Sequence, residues 1–291
     1  MSGKYERAPL VYVTASIRTT GLPKLVNEQP GLLQQLMIQH GLPDERVSEH
    51  QTFSLKIDPK GSGEPAGKVG TLHRTGFFSP DGSESVIFDD GLIEYRTTKY
   101  EDYETLCGKL ISLFSAIFES ISVYKDVFSK ELTMSYADVI LPYTNRQLSD
   151  YFIVNNSMPK TFLNGLDQND LQVAGNVSLS RIISPEHKVN ISLEQLPIID
   201  SKIPKFLPNA LTELDNKFGM PLFVTPNVEE VNPSEYALLL TQSMKLVTKK
   251  LSELDIKNDF EPLHESIKSS FKKIINHDVC NDDWKYVEEQ N

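Results

Sequence analysis

Short segments in which apolar and polar residues alternate constrain the fold of this chain more than any other feature. In residues 10–17 the apolar side chains recur at every second position, as in a half-buried strand. Similar segments occupy residues 52–57, 69–78, 85–88 and 92–97. Asp89, Asp90 and Gly91 separate the last two and are typical of a tight hairpin turn. The pattern predicts antiparallel strands that bury one face.

The second half of the chain carries strand patterns of the same kind. Residues 132–141, 171–183 and 189–193 alternate, and the sequence Ser-Pro-Glu-His at 184–187 predicts a turn between the last two. Residues 210–215 predict a further strand, and residues 220–224 have weaker extended character. A second meander is therefore expected after residue 131.

Three apolar stripes with helical spacing predict long helices. The first covers residues 99–124, with Thr98 as its cap and Glu101 completing a capping box. The second covers residues 233–256 and begins at the pair Asn232-Pro233, a cap followed by proline at the first helical position. The third starts at Asp259. The apolar positions of the second helix approximate a heptad seam and comprise Tyr236, Leu240, Met244, Val247, Leu251 and Leu254.

The order of these elements predicts the fold class. Residues 1–127 and 128–291 each contain a strand, a short helix, several strands and a long helix, so we expect two architecturally similar halves. Meandering strands with helices on one side define an α+β protein. The helices at 99–124 and 233–256 are expected to cover the antiparallel sheet.

The charge of the chain argues against several partners. It has 29 basic and 40 acidic residues and a formal net charge of −11, and no third of it is basic. Because a duplex-binding surface neutralises phosphates with basic residues, nucleic acid is not an expected partner of the isolated chain. Anionic lipid would be repelled in the same way, and no apolar run approaches the roughly 20 residues of a membrane-spanning helix.

Cysteine content and the first residues indicate the compartment. Cys107 and Cys280 match no metal or redox spacing, and no apolar stretch typical of a signal peptide follows Met1. The common nucleotide-binding, hydrolase and zinc-protease motifs are missing. We therefore expect a cytoplasmic protein without a disulfide framework, a metal or a cofactor.

Five residues are candidates for a catalytic site: His73, Arg74, Asp89, Tyr136 and Asp138. His73 and Arg74 are adjacent on a predicted strand, where a sheet-surface histidine is the alternative. Asp89 lies in a hairpin turn, and turn chemistry also explains it. Tyr136 and Asp138 share one strand face with apolar residues. A buried acid there needs a partner or a raised pKa, so Asp138 is either structural or part of a site.

Some of these segments resemble a known family. Residues 8–13 read Ala-Pro-Leu-Val-Tyr-Val and residues 97–100 read Thr-Thr-Lys-Tyr. They are similar to the PLVxV strand and the TTxY helix start of an uncharacterised, sporadically distributed bacterial family, often located in mobile or defence-like gene neighbourhoods. The family's RxGLRYxN strand corresponds to residues 131–138, where Tyr136 matches, Asp138 replaces asparagine and both arginines are missing.

The resemblance extends over residues 8–140 and a late helix that contains Leu263 and His264. It implies a bacterial or phage-related cytoplasmic protein. The family has no established catalytic residues, so the resemblance adds no mechanism.

Two functions of different classes remain open. The first is a non-enzymatic protein-binding or assembly component, of a bacterial defence or toxin–antitoxin-like system. The second is an enzyme or nucleotide-binding protein with an unfamiliar site around the first sheet. Fold alone cannot decide between them. Convergence of the five candidate residues on one concave pocket would favour the second.

Three structural expectations accompany these functions. The heptad-like seam predicts a homo-oligomer, most simply a dimer, and pairing of the two C-terminal helices within one chain is the alternative. Residues 58–67 predict a mobile loop without a ligand. Trp284, the only tryptophan, lies in a polar tail and is expected to dock on its own domain.

Overall fold

The computed structural model describes residues 3–22, 30–56, 66–153, 175–198, 202–225, 231 and 233–288. In this part of the chain the strands are β1 Gly3–Tyr5, β2 Leu10–Thr19, β3 Asp44–Lys56, β4 Ala66–Phe78, β5 Glu84–Asp89, β6 Leu92–Thr97, β7 Phe128–Ile140, β8 Asn176–Ile183, β9 Lys188–Pro197, β10 Glu235–Lys250 and β11 Tyr286–Glu288. The α-helices are α1 Pro30–Gln39, α2 Tyr103–Ser120, α3 Ile256–Ile274 and α4 His277–Asp283.

Nine strands form one antiparallel sheet in the order β3-β4-β5-β6-β2-β7-β10-β9-β8. The central pair is β2–β7, in which Val13 lies opposite Tyr136. Each half contributes one strand to this pair, β2 or β7. The last strand that each half adds to the nine-stranded sheet, β6 or β10, lies beside it. A long helix, α2 or α3, follows each of these last strands. The expected α+β fold with a meandering antiparallel sheet is confirmed, and the sheet continues across the predicted boundary at residues 127 and 128.

The helices cover one face of the sheet. The core beneath them unites side chains of both halves, including Ile17, Tyr95, Phe114, Met134, Phe260 and Leu263. Helix α2 begins later than expected, because the Asp102 side chain accepts a hydrogen bond from the Thr105 amide and caps it. The predicted cap, Thr98, instead donates its amide to the Ser83 carbonyl and extends the pairing of the sheet.

Strand β10 is the main correction to the sequence-based prediction. Residues 233–256, predicted as a long helix, form this strand and a short 3₁₀ helix at Leu251–Glu253. The stretch from Tyr236 to Leu240 is apolar at every position, which is typical of a strand buried on both faces. Because β7 and β9 pair with β10 on either side, the sheet satisfies its backbone groups. Helical spacing in such a run does not distinguish the two structures.

The predicted heptad seam is consequently divided between two faces of the sheet. Tyr236 packs with Val11 and Val139 on the face away from the helices. Val247 and Leu251 belong to the core under the helices. Leu240 is buried and Met244 is half-buried. These residues form no helical seam, and α3 takes the covering role that was expected of residues 233–256.

A covering segment, residues 202–225, lies on the opposite face of the sheet. Several of its side chains pack on β2, β7 and β10: Ile203, Leu207, Leu211, Met220, Leu222 and Val224. The strand predicted at 210–215 is not formed, because the Pro208 carbonyl accepts the amides of Leu211 and Thr212 and turns the chain. Both faces of the sheet centre are therefore covered.

The C-terminal tail docks on its own chain, as expected. Trp284 is buried and stacks on Tyr151, with 5.8 Å between ring centroids, and on Phe271. Nearby, β11 pairs with β1 and joins the two ends of the described chain.

One expectation concerns residues at the border of the described part. Of the predicted mobile loop 58–67, the structure describes only Ala66 and Gly67, which open β4. Residues 58–65 lie outside the described residues.

None of the helices in the described ranges combines the length and the hydropathy needed to cross a bilayer.

Candidate functional site

Two of the five candidate residues, Tyr136 and Asp138, lie together on the helix-covered face of β7. The period of two puts both side chains on the face that α3 covers. The Tyr136 hydroxyl is hydrogen-bonded to Nδ1 of His264 from α3, at 2.9 Å, and donates to the Tyr100 hydroxyl at 3.3 Å. The Tyr103 ring stacks on the His264 ring with 3.9 Å between centroids. We call Tyr100, Tyr103, Tyr136, Asp138 and His264 the buried polar cluster.

Asp138 is flanked by apolar residues of both neighbouring strands. Its cross-strand partners are Leu10 on β2 and Leu239 on β10. Burial raises the pKa of Asp138 to about 8, because the ionised carboxylate would lose its hydration there. The carboxyl group is therefore mainly protonated at pH 7. A neutral carboxyl group costs less to bury among apolar side chains than a charged carboxylate does.

The other titratable groups of the buried polar cluster are also kept neutral. Burial lowers the pKa of His264 to about 4. The pKa of Tyr136 lies well above its ordinary value, chiefly through burial and also through the neighbouring Tyr100. At pH 7 the cluster thus consists of neutral groups, and the Tyr136–His264 hydrogen bond joins β7 to α3. Such an arrangement fixes the position of α3 on β7 and presents no ionised nucleophile.

The remaining three candidates lie elsewhere and do not converge with these two. His73 on β4 contacts Glu49 of β3 with 3.0 Å between Nδ1 and Oε1. Asp89 closes the β5–β6 hairpin by accepting a hydrogen bond from the Asp90 amide. Both roles are structural, and neither side chain lies under α3.

Arg74 belongs to an ion-pair network on the opposite face of the sheet. Its Nη1 donates to Oε1 of Glu213 at 2.7 Å, and Arg96 donates to the other oxygen at 3.1 Å. Arg96 also pairs with Glu94. Because Glu213 lies in the covering segment, this network attaches that segment to β4 and β6.

Strand β8, at one edge of the sheet, has an exposed apolar surface. β8 pairs with β9 on one side, and no strand of the described ranges pairs with its other side. Four of its apolar side chains are more than half exposed: Val177 63%, Leu179 62%, Ile182 52% and Ile183 75%. Arg181 is its one charged residue. We call this surface the β8 edge.

The opposite edge of the sheet differs in character. The first part of β3 carries Asp44, Glu45, Arg46 and Glu49 around a single exposed Val47. Charges on an edge strand prevent pairing with another chain. The β8 edge lacks this protection, and unprotected apolar edges pair readily.

Sequence reasoning predicted the strand β8 but not its exposure. The segment is apolar, serine-rich and free of acidic residues, yet only the sheet order makes it an edge. In contrast, the predicted interface residues Tyr236, Leu240, Met244 and Val247 lie on an internal strand, and Leu251 lies in the 3₁₀ helix that follows it. A charge at the buried Leu240 would disrupt the core and would not report on an interface.

In the described part of the chain, no three His, Cys, Asp or Glu side chains converge to hold a metal ion. No family model, curated protein or solved structure matches this chain.

Proposed function

We propose that this protein is a non-enzymatic assembly component that binds a second copy of itself through the β8 edge. The observation that supports this most is the exposure of Val177, Leu179 and Ile183 on a strand that pairs only with β9 among the described residues. Antiparallel pairing of two such strands would continue the sheet from one copy into the next.

The β8 sequence is compatible with pairing to itself. In an antiparallel register centred on Ser180, Val177 of one copy lies opposite Ile183 of the other, and Leu179 lies opposite Arg181. The Val177–Ile183 pair is apolar, and cross-strand apolar pairs stabilise a sheet. The Arg181 side chain is already held by its own chain, because Nε donates to Asn190 Oδ1 at 3.2 Å.

Charge does not oppose this contact locally. The net charge of −11 produces a weak repulsion between copies, but β8 contains no acidic residue. Exposed charges further away than roughly 8–10 Å are screened at physiological salt. The repulsion is therefore small at the contact itself.

The buried polar cluster supports a structural interpretation of the candidate residues. Tyr136, Asp138 and His264 are buried, and their shifted pKa values keep them neutral at pH 7. The Tyr136–His264 hydrogen bond holds α3 against the sheet, so the cluster needs no catalytic explanation.

Within this proposal the protein works in the bacterial cytoplasm, as a component of a defence or toxin–antitoxin-like system. The support for this setting is the family resemblance of residues 8–140 and the absence of a cysteine framework from the sequence.

Light scattering coupled to size exclusion tests the proposal. At about 100 µM, where contacts with micromolar Kd are populated, the wild-type mass should approach twice 32.9 kDa. The double variant Leu179→Lys/Ile183→Lys should return 32.9 kDa, since in each copy one new ammonium would lie opposite Arg181 of the other copy and the second would lie opposite the apolar Val177.

The matched control is Leu214→Lys, at a residue that is 95% exposed and lies in the covering segment. It adds one lysine, half the charge of the double variant, away from β8 and should keep the wild-type mass. A monomeric wild-type protein, or a double variant that dimerises as the wild type does, would refute the proposal.

A further inference from the structure

A serine and a histidine that are 79 residues apart in the sequence lie in direct contact beside α3. His187 belongs to the turn between β8 and β9, and its Nε2 lies 2.6 Å from the Ser266 hydroxyl on α3. Both residues are partly exposed to solvent. A serine within hydrogen-bond reach of an imidazole is the arrangement in which histidine activates a nucleophile as general base. Whether this contact is of that kind depends on which of the two groups is the donor.

Ser184, the first residue of the same turn, determines which ring nitrogen of His187 carries a proton. Its hydroxyl donates to the His187 carbonyl at 2.8 Å and has no second hydrogen for the ring. Because Nδ1 of His187 lies 3.3 Å from this hydroxyl, Nδ1 is the donor in their contact. A neutral imidazole carries a single N–H. Nε2 therefore has a free lone pair, which faces Ser266.

The Ser266 hydroxyl has two acceptors within reach. One is Nε2 of His187, and the other is the Pro262 carbonyl at 2.7 Å. In the helix this carbonyl also accepts the Ser266 amide, so it does not depend on the hydroxyl proton. If Ser266 did not donate to Nε2, two lone pairs would face each other at 2.6 Å. The hydroxyl proton therefore points to His187, as its transfer requires.

We propose that Ser266 is a reactive serine that accepts the acyl group of small aryl esters, with His187 as its general base and Ser184 as the residue that positions the ring. The Ser266 oxygen forms a bond to the ester carbonyl carbon while its proton passes to Nε2 of His187. The bond from that carbon to the aryl oxygen then breaks, and the aryloxide takes the proton from Nε2. The products are an acyl-serine and a phenol.

The position of Ser266 within α3 restricts which esters can react. Its amide is donated inside the helix and is not free to hold the oxyanion of the tetrahedral intermediate. Aryl esters tolerate this, because their carbonyl is activated and their leaving group departs readily. The acyl-serine is an alkyl ester, so water should attack it slowly and the acyl group should remain attached. Ser266 is thus a covalent modification site, and the inference does not rest on pairing through the β8 edge.

The test treats the full chain with 4-nitrophenyl acetate and locates the acetyl group by mass spectrometry of its peptides over time. Locating the group is necessary because exposed lysines also react with this ester. Ser269 is an exposed serine of the same helix that hydrogen-bonds no histidine among the described residues. Ser266 should be acetylated at least about a hundredfold faster than Ser269, the typical contribution of a general base.

Three variants separate the roles of the residues, each compared with the wild type at equal melting temperature. His187→Gln should slow acetylation of Ser266 about a hundredfold or more, because glutamine can accept a hydrogen bond but cannot take up the proton. Ser184→Ala should slow it less, and Ser184→Thr should restore it, since threonine keeps the hydroxyl that accepts from Nδ1.

The matched control is Ser269→Ala, which removes a hydroxyl from α3 away from His187 and should leave acetylation of Ser266 unchanged. A wild-type Ser266 that reacts no faster than Ser269, or a folded His187→Gln variant with an undiminished rate, would overturn the proposal.

Discussion

At the scale of single residues, Asp138 makes the stability of this protein depend on pH. Its pKa is raised to about 8 in the fold by burial, from a value near 4 in the unfolded chain. Between these values the unfolded chain releases a proton that the folded protein retains. The free energy of unfolding should therefore fall as the pH rises from about 4 to 8, with a cost at pH 7 of at most about 4 kcal/mol.

The variant Asp138→Asn keeps the shape and removes the titration, so it should be more stable than the wild type at pH 7–8 and similar at pH 4–5. Urea unfolding at several pH values measures this. Asp126→Asn is the control, because Asp126 is exposed and pairs with Lys250. If Asp138→Asn is destabilised equally at pH 5 and pH 8, the carboxyl group is not neutral in the fold.

At the scale of elements, the covering segment depends on a glycine of β4. A Cβ on Gly76 would lie 2.8 Å from Phe218 and 2.7 Å from Ile87. The Phe218 ring or the Ile87 side chain would therefore have to move. Gly76→Ala should destabilise the protein by about 1–3 kcal/mol through overpacking. Since Phe218 belongs to the covering segment, hydrogen exchange should increase over residues 202–225 and change little in β7 and β10.

Gly91→Ala is the matched control for this element. A Cβ there would meet the Thr19 carbonyl at 3.5 Å, an ordinary contact, and the covering segment lies away from that turn. Unchanged hydrogen exchange in Gly76→Ala would show that Phe218 does not anchor the segment.

At the scale of the whole molecule, the two halves share one sheet and one core. β2 of the first half pairs with β7 of the second along its length, and Phe114 of α2 stacks with Phe260 of α3. The fragment 1–127 would expose the edge of β2 and one side of α2. It should therefore stay unfolded alone and fold when the fragment 128–291 is added.

Amide NMR spectra of the separate and mixed fragments measure this. A dispersed spectrum of 1–127 alone would contradict the expectation and would make the predicted boundary at 127 and 128 a true domain boundary.

The sequence by itself determined those elements whose apolar pattern fits only one type of secondary structure. Alternation in residues 10–17 and the Asp-Asp-Gly turn at 89–91 specify β2 and the β5–β6 hairpin, because a period of two places a strand's apolar side chains on one face. The stripe of α2 specifies a helix for the corresponding reason. From these the antiparallel α+β class followed.

Only the tertiary structure decided β10, the buried polar cluster and the β8 edge. The run from Tyr236 to Leu240 fits a helix or a buried strand, and the choice rests on β7 and β9 supplying partners for its backbone. His264 joins Tyr136 from 128 residues away, and β8 is exposed because it ends the strand order. Local sequence patterns carry no information about such distant neighbours, so packing alone created these features.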